Sequence, residues 1–250
     1  DKALYNWTDT VYITITAPDH NNNSAAEETI GTSALPIQAT SRAGKMCSGS
    51  FYVAAETGPD TGVFTAEIAL QGYVLSTSHN GPASVSNTCS TTDSTAGKLK
   101  TAGQTDGISV SYEYNNNVVV VASASIAFNI AEAGFDTSSA STSGSATLTV
   151  TDADENANSA IIEDFNVDVY SDSDNGGFTL SLSETNEDTG VFEGTIYFTD
   201  SGATSGSSLR VSEGDTVTAE YSDKTLPEPY TDSDSLTVAS TLTIGTAFPP

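Results

Sequence analysis

The sequence predicts an all-β protein made of two tandem immunoglobulin-like, antiparallel β-sandwich domains. Three observations predict this. Apolar and polar residues alternate over short runs. Clusters of Gly, Asn, Asp and Ser separate those runs at roughly 8 to 15 residue intervals. One series of runs is written twice along the 250 residues.

The runs are as follows. In "VYITIT" (residues 11–16), Val11, Ile13 and Ile15 alternate with Tyr12, Thr14 and Thr16. In "FTAEIAL" (64–70), Phe64, Ala66, Ile68 and Leu70 share one face. "VVVV" (118–121) is a continuous apolar run consistent with a strand. "FTLSLS" groups Phe178, Leu180 and Leu182, and "FEGTIYF" groups Phe192, Ile196 and Phe198. This is the period of two that puts one strand face on a core. No segment keeps a helical period over three turns. The Cys–Trp–Cys pattern of antibody domains is absent, since Trp7 precedes the first strong strand.

The repeat divides the chain. "VYITITAPDHNNNSAAEETI" (11–30) aligns without gaps on "ATLTVTDADENANSAIIEDF" (146–165), sharing Thr14/Thr149, Asp19/Asp154, Asn21/Asn156, Asn23/Asn158 and Glu28/Glu163. "ETGPDTGVF" (56–64) recurs as "ETNEDTGVF" (184–192), "VSYEY" (110–114) as "VTAEY" (217–221), and "VASASI" (121–126) as "VASTLTI" (238–244). Four blocks in one order predict two homologous domains, 1–133 and 134–250. The first carries a long insertion, residues 76–107, which holds Cys89.

Charge narrows the function. There are 33 acidic and 7 basic residues, a formal net charge of −26. Of these, residues 134–250 carry 21 acids and 2 bases. Such a surface excludes nucleic acid, whose phosphates require Lys and Arg, and makes cations the natural partners. The hydrophobic fraction is 37%, but its clustering excludes a disordered chain. No run of 18 apolar residues is present, so no transmembrane segment is expected in this piece. The chain starts at Asp1 without Met and ends in "AFPP", which reads as a processed chain or a piece of a longer one.

Cys47 and Cys89 read as one disulfide of a secreted chain. The sequons at Asn6 ("NWT") and Asn22 ("NNS") point to glycosylation outside the cell.

The candidate chemistry is metal binding. "TDADENANS" gathers Asp152, Asp154, Glu155, Asn156 and Asn158 in one loop, the hard oxygens that Ca²⁺ takes six to eight at a time. "APDHNNNS" keeps Asp19, Asn21 and Asn23. The alternative is a solvated turn in which Asp and Asn bond their own backbone. In the "ETxxDTGVF" phrase, Gly62 and Gly190 suit a tight turn, and a structural hairpin corner whose Asp caps the turn accounts for it. Glu56 with Asp60, and Glu184 with Asp188, keep a lesser claim on a cation.

Catalysis is not expected. His20 and His79 are not repeated, and Ser without a positioned base makes no nucleophile. Acid pairs such as those in "IIEDF" (161–165) follow from composition. Tyr112, Tyr114, Tyr221 and Tyr230 read as core-edge residues rather than a sugar-stacking platform.

With "LYNWTDTVYITITAPDHN" (4–21), "ETGPDTGVFTAEI" (56–68), "GISVSYEY" (107–114), "TLTVTDADENAN" (147–158) and "ETNEDTGVFEGTIYF" (184–198) in view, the chain resembles the surface-layer (S-layer) proteins of ammonia-oxidising archaea (Thaumarchaeota). The resemblance runs through both domains. It implies an array of Ig-like domains that self-associates into a porous two-dimensional lattice outside the cell, with acidic surfaces that gather cations such as ammonium. An extracellular adhesin or carbohydrate-binding module is the alternative.

Overall fold

The computed structural model describes residues 1–42, 44–45, 52–71, 74–75, 82–83, 98–101, 105–156, 161–231 and 233–245. The chain forms two compact units, Asp1–Phe128 and Asn129–Pro250. The division falls five residues before the expected 133/134 boundary. The reason is that Ala131 is buried in the second unit's core and its amide donates to Asp223 there.

The first unit contains β1 (Leu4–Tyr5), β2 (Thr10–Thr16), β3 (Thr29–Ile30), β4 (Ile37–Ser41), β5 (Gly44–Lys45), β6 (Ala54–Glu56), β7 (Val63–Gln71), β8 (Val74–Leu75), β9 (Pro82–Ala83), β10 (Lys98–Lys100), β11 (Thr105–Asn115) and β12 (Val118–Ala127). One sheet runs β1-β12-β11-β4-β5. A second runs β10-β7-β6-β3, with β2 paired to β7, and β8 pairs with β9. The expected alternation holds in β2 and β7: Val11, Ile13, Phe64, Ala66, Ile68 and Leu70 are buried. Trp7 is fully buried, edge-on to Phe128 with ring centroids 5.9 Å apart.

β11 turns into β12 through Asn116 and Asn117, and Asn117 takes φ 63°, a backbone region Asn tolerates. The valine run is indeed a strand, but Val118 to Val121 are 42 to 64% exposed. A continuous apolar run usually means a strand covered on both faces. Here the described residues cover that strand only in part.

The second unit contains β13 (Glu132–Phe135), β14 (Ser139–Ser141), β15 (Ser145–Thr151), β16 (Asp164–Ser171), β17 (Asp174–Glu184), β18 (Val191–Thr199), β19 (Ser208–Arg210), β20 (Thr216–Asp223) and β21 (Leu236–Gly245). They pair in the order β13-β15-β18-β17-β16-β20-β21-β14, with β19 on β18. β17 pairs with β16 for most of its length and with β18 only at Ser183 and Glu184. The core is filled by alternate residues such as Phe165, Val167, Val169, Leu180, Leu182 and Phe192. Burying each such side chain is worth roughly 1.5 to 3 kcal/mol. The fold is thus all-β, with mainly antiparallel sheets arranged as a sandwich.

Candidate functional site

The repeated phrase builds one corner twice. Glu56 ends β6 and Glu184 ends β17, while Val63 and Val191 open β7 and β18. Glu184 Oε1 accepts hydrogen bonds from Thr189 N at 2.7 Å, Gly190 N at 2.8 Å and Thr189 Oγ1 at 3.2 Å. Glu56 Oε1 accepts from Thr61 N at 2.9 Å, Gly62 N at 2.7 Å and Thr61 Oγ1 at 3.3 Å. Both glutamates are 4% exposed. Burial alone would raise their pKa values. The hydrogen bonds from the glycine and threonine amides, with those at Glu28 and Glu163, outweigh it and hold both carboxyls below their ordinary range.

The corner is therefore capped by its glutamate, and the expected Asp cap is not what forms. Asp60 and Asp188 turn outward and accept instead from Asn21 Nδ2 at 2.9 Å and Asn156 Nδ2 at 2.8 Å. Each corner is fixed to the loop that follows β2 or β15. Gly62 O accepts from Ala17 N, and Gly190 O from Asp152 N, both at 2.8 Å.

In the second unit that loop carries an acidic cluster. Asp152, Asp154 and Glu155 are buried, and with them Asp223 at the end of β20. The Tyr221 hydroxyl donates to Asp152 Oδ2 at 2.7 Å and to Glu155 Oε1 at 3.2 Å. Asp154 N donates to Asp152 Oδ1 at 3.0 Å, and the Asn129 amide donates to Asp154. Asp223 accepts from Ala131 N at 2.9 Å and Thr225 N at 3.0 Å.

Burial, then the charge of Asp223, pushes Asp152 up to about 7. Burial, then Asp152, pushes Asp154 up to about 9. Burial also raises Glu155, with Lys224 pulling it partly back, and raises Asp223. Tyr221 is raised by burial and by the acids around it. Carboxylates gathered away from water hold protons or a cation, because isolated buried charge is costly.

The loop thus divides. Asp152, Asp154 and Glu155 face the cluster, while Asn156 serves the corner through Asp188. Asn158 lies outside the described residues, as do Cys47 and Cys89. Among the described residues, no three His, Cys, Asp or Glu side chains stand as a preformed metal-holding group. A cation would have to draw these acids away from their present amide and hydroxyl partners.

The first unit lacks the cluster. Asp152 is matched by Ala17 and Glu155 by His20. Asp19 is exposed and Asn21 half-buried. His20 Nε2 lies 3.2 Å from Tyr114 O, and its ring stands 5.9 Å from that of Tyr112. Asn6 is half-buried at the end of β1, and Asn22 sits in an exposed loop with its amide donating to His20 O.

Tyr221 and Asp223 were not read as site residues. The signal was available: in "EYSD" they stand two apart on a strand and so share a face. Glu163 was visible only as a repeat identity. Its backbone amide is among the donors that hold the Glu184 carboxyl below its ordinary range. Tyr112 and Tyr221 are buried as expected, whereas Tyr114 is 40% exposed.

Against known proteins, no family model matches the sequence and no curated protein proves similar to it. Among the described residues, no helix is long and apolar enough to cross a membrane.

Proposed function

We propose that this chain is a structural, non-enzymatic module of an extracellular surface-layer lattice. In this reading its two units are immunoglobulin-like and belong to a longer array that self-associates in two dimensions. Its acidic faces attract cations, ammonium among them, and Ca²⁺ is drawn to the acids of the second unit. The Cys47–Cys89 disulfide and glycans at Asn6 and Asn22 belong to the same extracellular reading.

The observation that supports it is the paired corner. Two units hold the same Glu–Thr–Gly cap in the same hydrogen bonds, and this rigid repeat suits a load-carrying array. Asp152, Asp154, Glu155 and Asp223 supply oxygens of the kind Ca²⁺ takes.

The test is electron microscopy of the full-length protein with Ca²⁺ and after chelation. Ordered sheets that form with Ca²⁺ and disperse on chelation are expected. Protein that stays monomeric at high concentration with Ca²⁺ present overturns the reading. A single saturable glycan ligand would move it to an adhesin.

A further inference from the structure

The second unit has a strand that finds no counterpart among the described residues of the first. β13 lies antiparallel on β15, pairing Glu132, Ala133, Gly134 and Phe135 with Thr151, Val150, Thr149 and Leu148. Ala131 is buried in that unit's core, and Ala133 and Phe135 pack against it. The counterpart of β15 is β2, and among the described residues β2 pairs with β7 alone. The edge from Ile13 to Thr16, matching Leu148 to Thr151, therefore has no second strand among them.

The two units otherwise run in register up to Asp1. Asp136 N donates to Thr147 O at 3.0 Å, and Thr147 N donates back to Asp136 Oδ1 at 2.9 Å. In the first unit the Asp1 amino group donates to Tyr12 O, and Tyr12 N donates back to Asp1 Oδ1, both at 3.3 Å. Tyr12 stands where Thr147 does in the repeat, so Asp1 occupies the place of Asp136. β1 likewise takes the place of β14. Leu4 and Tyr5 pair in parallel with Ser125 and Ile126, as Ser139 and Ala140 do with Thr243 and Ile244.

The seat is apolar. A groove of about 320 Å³ lies between β2 and β12, lined by Val11, Ile13, Ile15, Ile108, Tyr112 and Val120 among others. Val120 lies opposite Tyr112, as Val238 lies opposite Tyr221, and the pairing of β1 and β14 makes these the counterparts rather than the Val121 and Tyr114 of the written repeat. Val238 packs against its core, whereas Val120 is 51% exposed. An open edge beside an apolar groove is a template for strand addition, with main-chain bonds giving affinity and alternate side chains giving specificity.

We propose that the β2 edge from Ile13 to Thr16 is a strand-acceptor site. It takes an antiparallel strand of the Ala131–Phe135 type, with small or aromatic residues at alternate positions, joined directly to Asp1. The register identifies the source, since Phe135 runs into Asp136 without a loop. This is independent of the lattice reading, because it concerns how one unit completes its sheet.

The test grafts the sequence of Asn129–Phe135 onto the amino group of Asp1 in the full chain. A control carries seven Ser and Gly residues. Amide hydrogen exchange is followed along β2. The graft is expected to slow exchange at the edge-facing amides of Ile13–Thr16 by about tenfold or more relative to the control. The free peptide in trans should need millimolar concentrations to do the same, since tethering supplies effective concentration of about that order. Equal exchange in graft and control overturns the site. Protection in the ungrafted chain that rises with protein concentration, with dimers in sedimentation, overturns the source in favour of a second copy.

Discussion

Tyr221 donates its hydroxyl to Asp152 at 2.7 Å across the second unit, joining the end of β20 to the loop after β15. The same hydroxyl reaches Glu155, and Asp223 lies buried two residues further along the chain. One neutral donor thus stands among acids whose nearby basic partner is Lys224. The cluster is set to respond to protons and cations.

The first prediction concerns pH. Asp154 moves from an ordinary value of 3.8 to about 9 in the fold, through burial and then the charge of Asp152. Between those values the folded chain holds a proton that the unfolded chain has lost. The contribution is complete below the unfolded value and is lost as pH rises through about 9. In chelator, the melting temperature of the second unit should therefore fall from pH 5 to pH 9. Asp154→Asn should flatten that slope. Thermal unfolding by circular dichroism across the range checks it, and identical slopes in the two proteins would refute it.

The second prediction concerns calcium. Its ligands must be deprotonated, so binding should release protons and strengthen as pH rises. Ligand at a hundredfold excess over its Kd should stabilise by about 3 kcal/mol. Titration calorimetry in buffers of different ionisation enthalpy reads the protons. Asp223→Asn should abolish the heat, and an undiminished heat in that variant would place any calcium elsewhere.

How much of this was legible follows from which residues are local in sequence. Period-two alternation identified β2, β7, β17 and β18 and their buried faces, because side chains on a strand report burial directly. The loop acids Asp152, Asp154 and Glu155 were legible because they stand together. The shared face of Tyr221 and Asp223 was legible in "EYSD", but not what that face meets, since β20 is no pairing neighbour of β15 and the fold brings Tyr221 to Asp152 across 69 residues. The corner was misread in its chemistry. A local Asp cap seemed sufficient for Asp-Thr-Gly, but β17 places the Glu184 carboxylate over the Thr189 and Gly190 amides, and a carboxylate that accepts two amide protons wins. The exposed valines of β12 escaped the reading because a pattern does not say whether a neighbouring strand is present.

The third prediction tests that cap. Glu184→Ala leaves the Thr189 and Gly190 amides without their acceptor, and Gly190 N is buried. Each orphaned donor costs about 1 to 3 kcal/mol, so the second unit should lose roughly 2 to 6 kcal/mol. Glu184→Gln keeps one carbonyl oxygen and should recover part of the loss. Urea unfolding of both variants measures it. Equal destabilisation by Gln and Ala would mean that the carboxylate's charge, rather than its acceptor geometry, holds the corner.

The fourth prediction separates backbone conformation from space. Gly190 and Gly206 have nearly the same positive φ, 58° and 60°. A Cβ on Gly190 would stand 2.7 Å from Ala153 Cα and 3.1 Å from Asp152 O, both in the loop that carries the acids, whereas a Cβ on Gly206 would meet nothing within 4 Å. Gly206→Ala should cost only the left-handed backbone penalty, about 1 to 2 kcal/mol. Gly190→Ala should cost that and a backbone collision besides, because neither Ala153 nor Asp152 can yield without breaking the bond from Asp152 N to Gly190 O. A total of roughly 3 kcal/mol or more is expected. The displaced loop should also disturb Asp152, so Gly190→Ala alone should change the pH slope of the first prediction. Equal losses in the two variants, with that slope intact, would show that the corner does not position the acids.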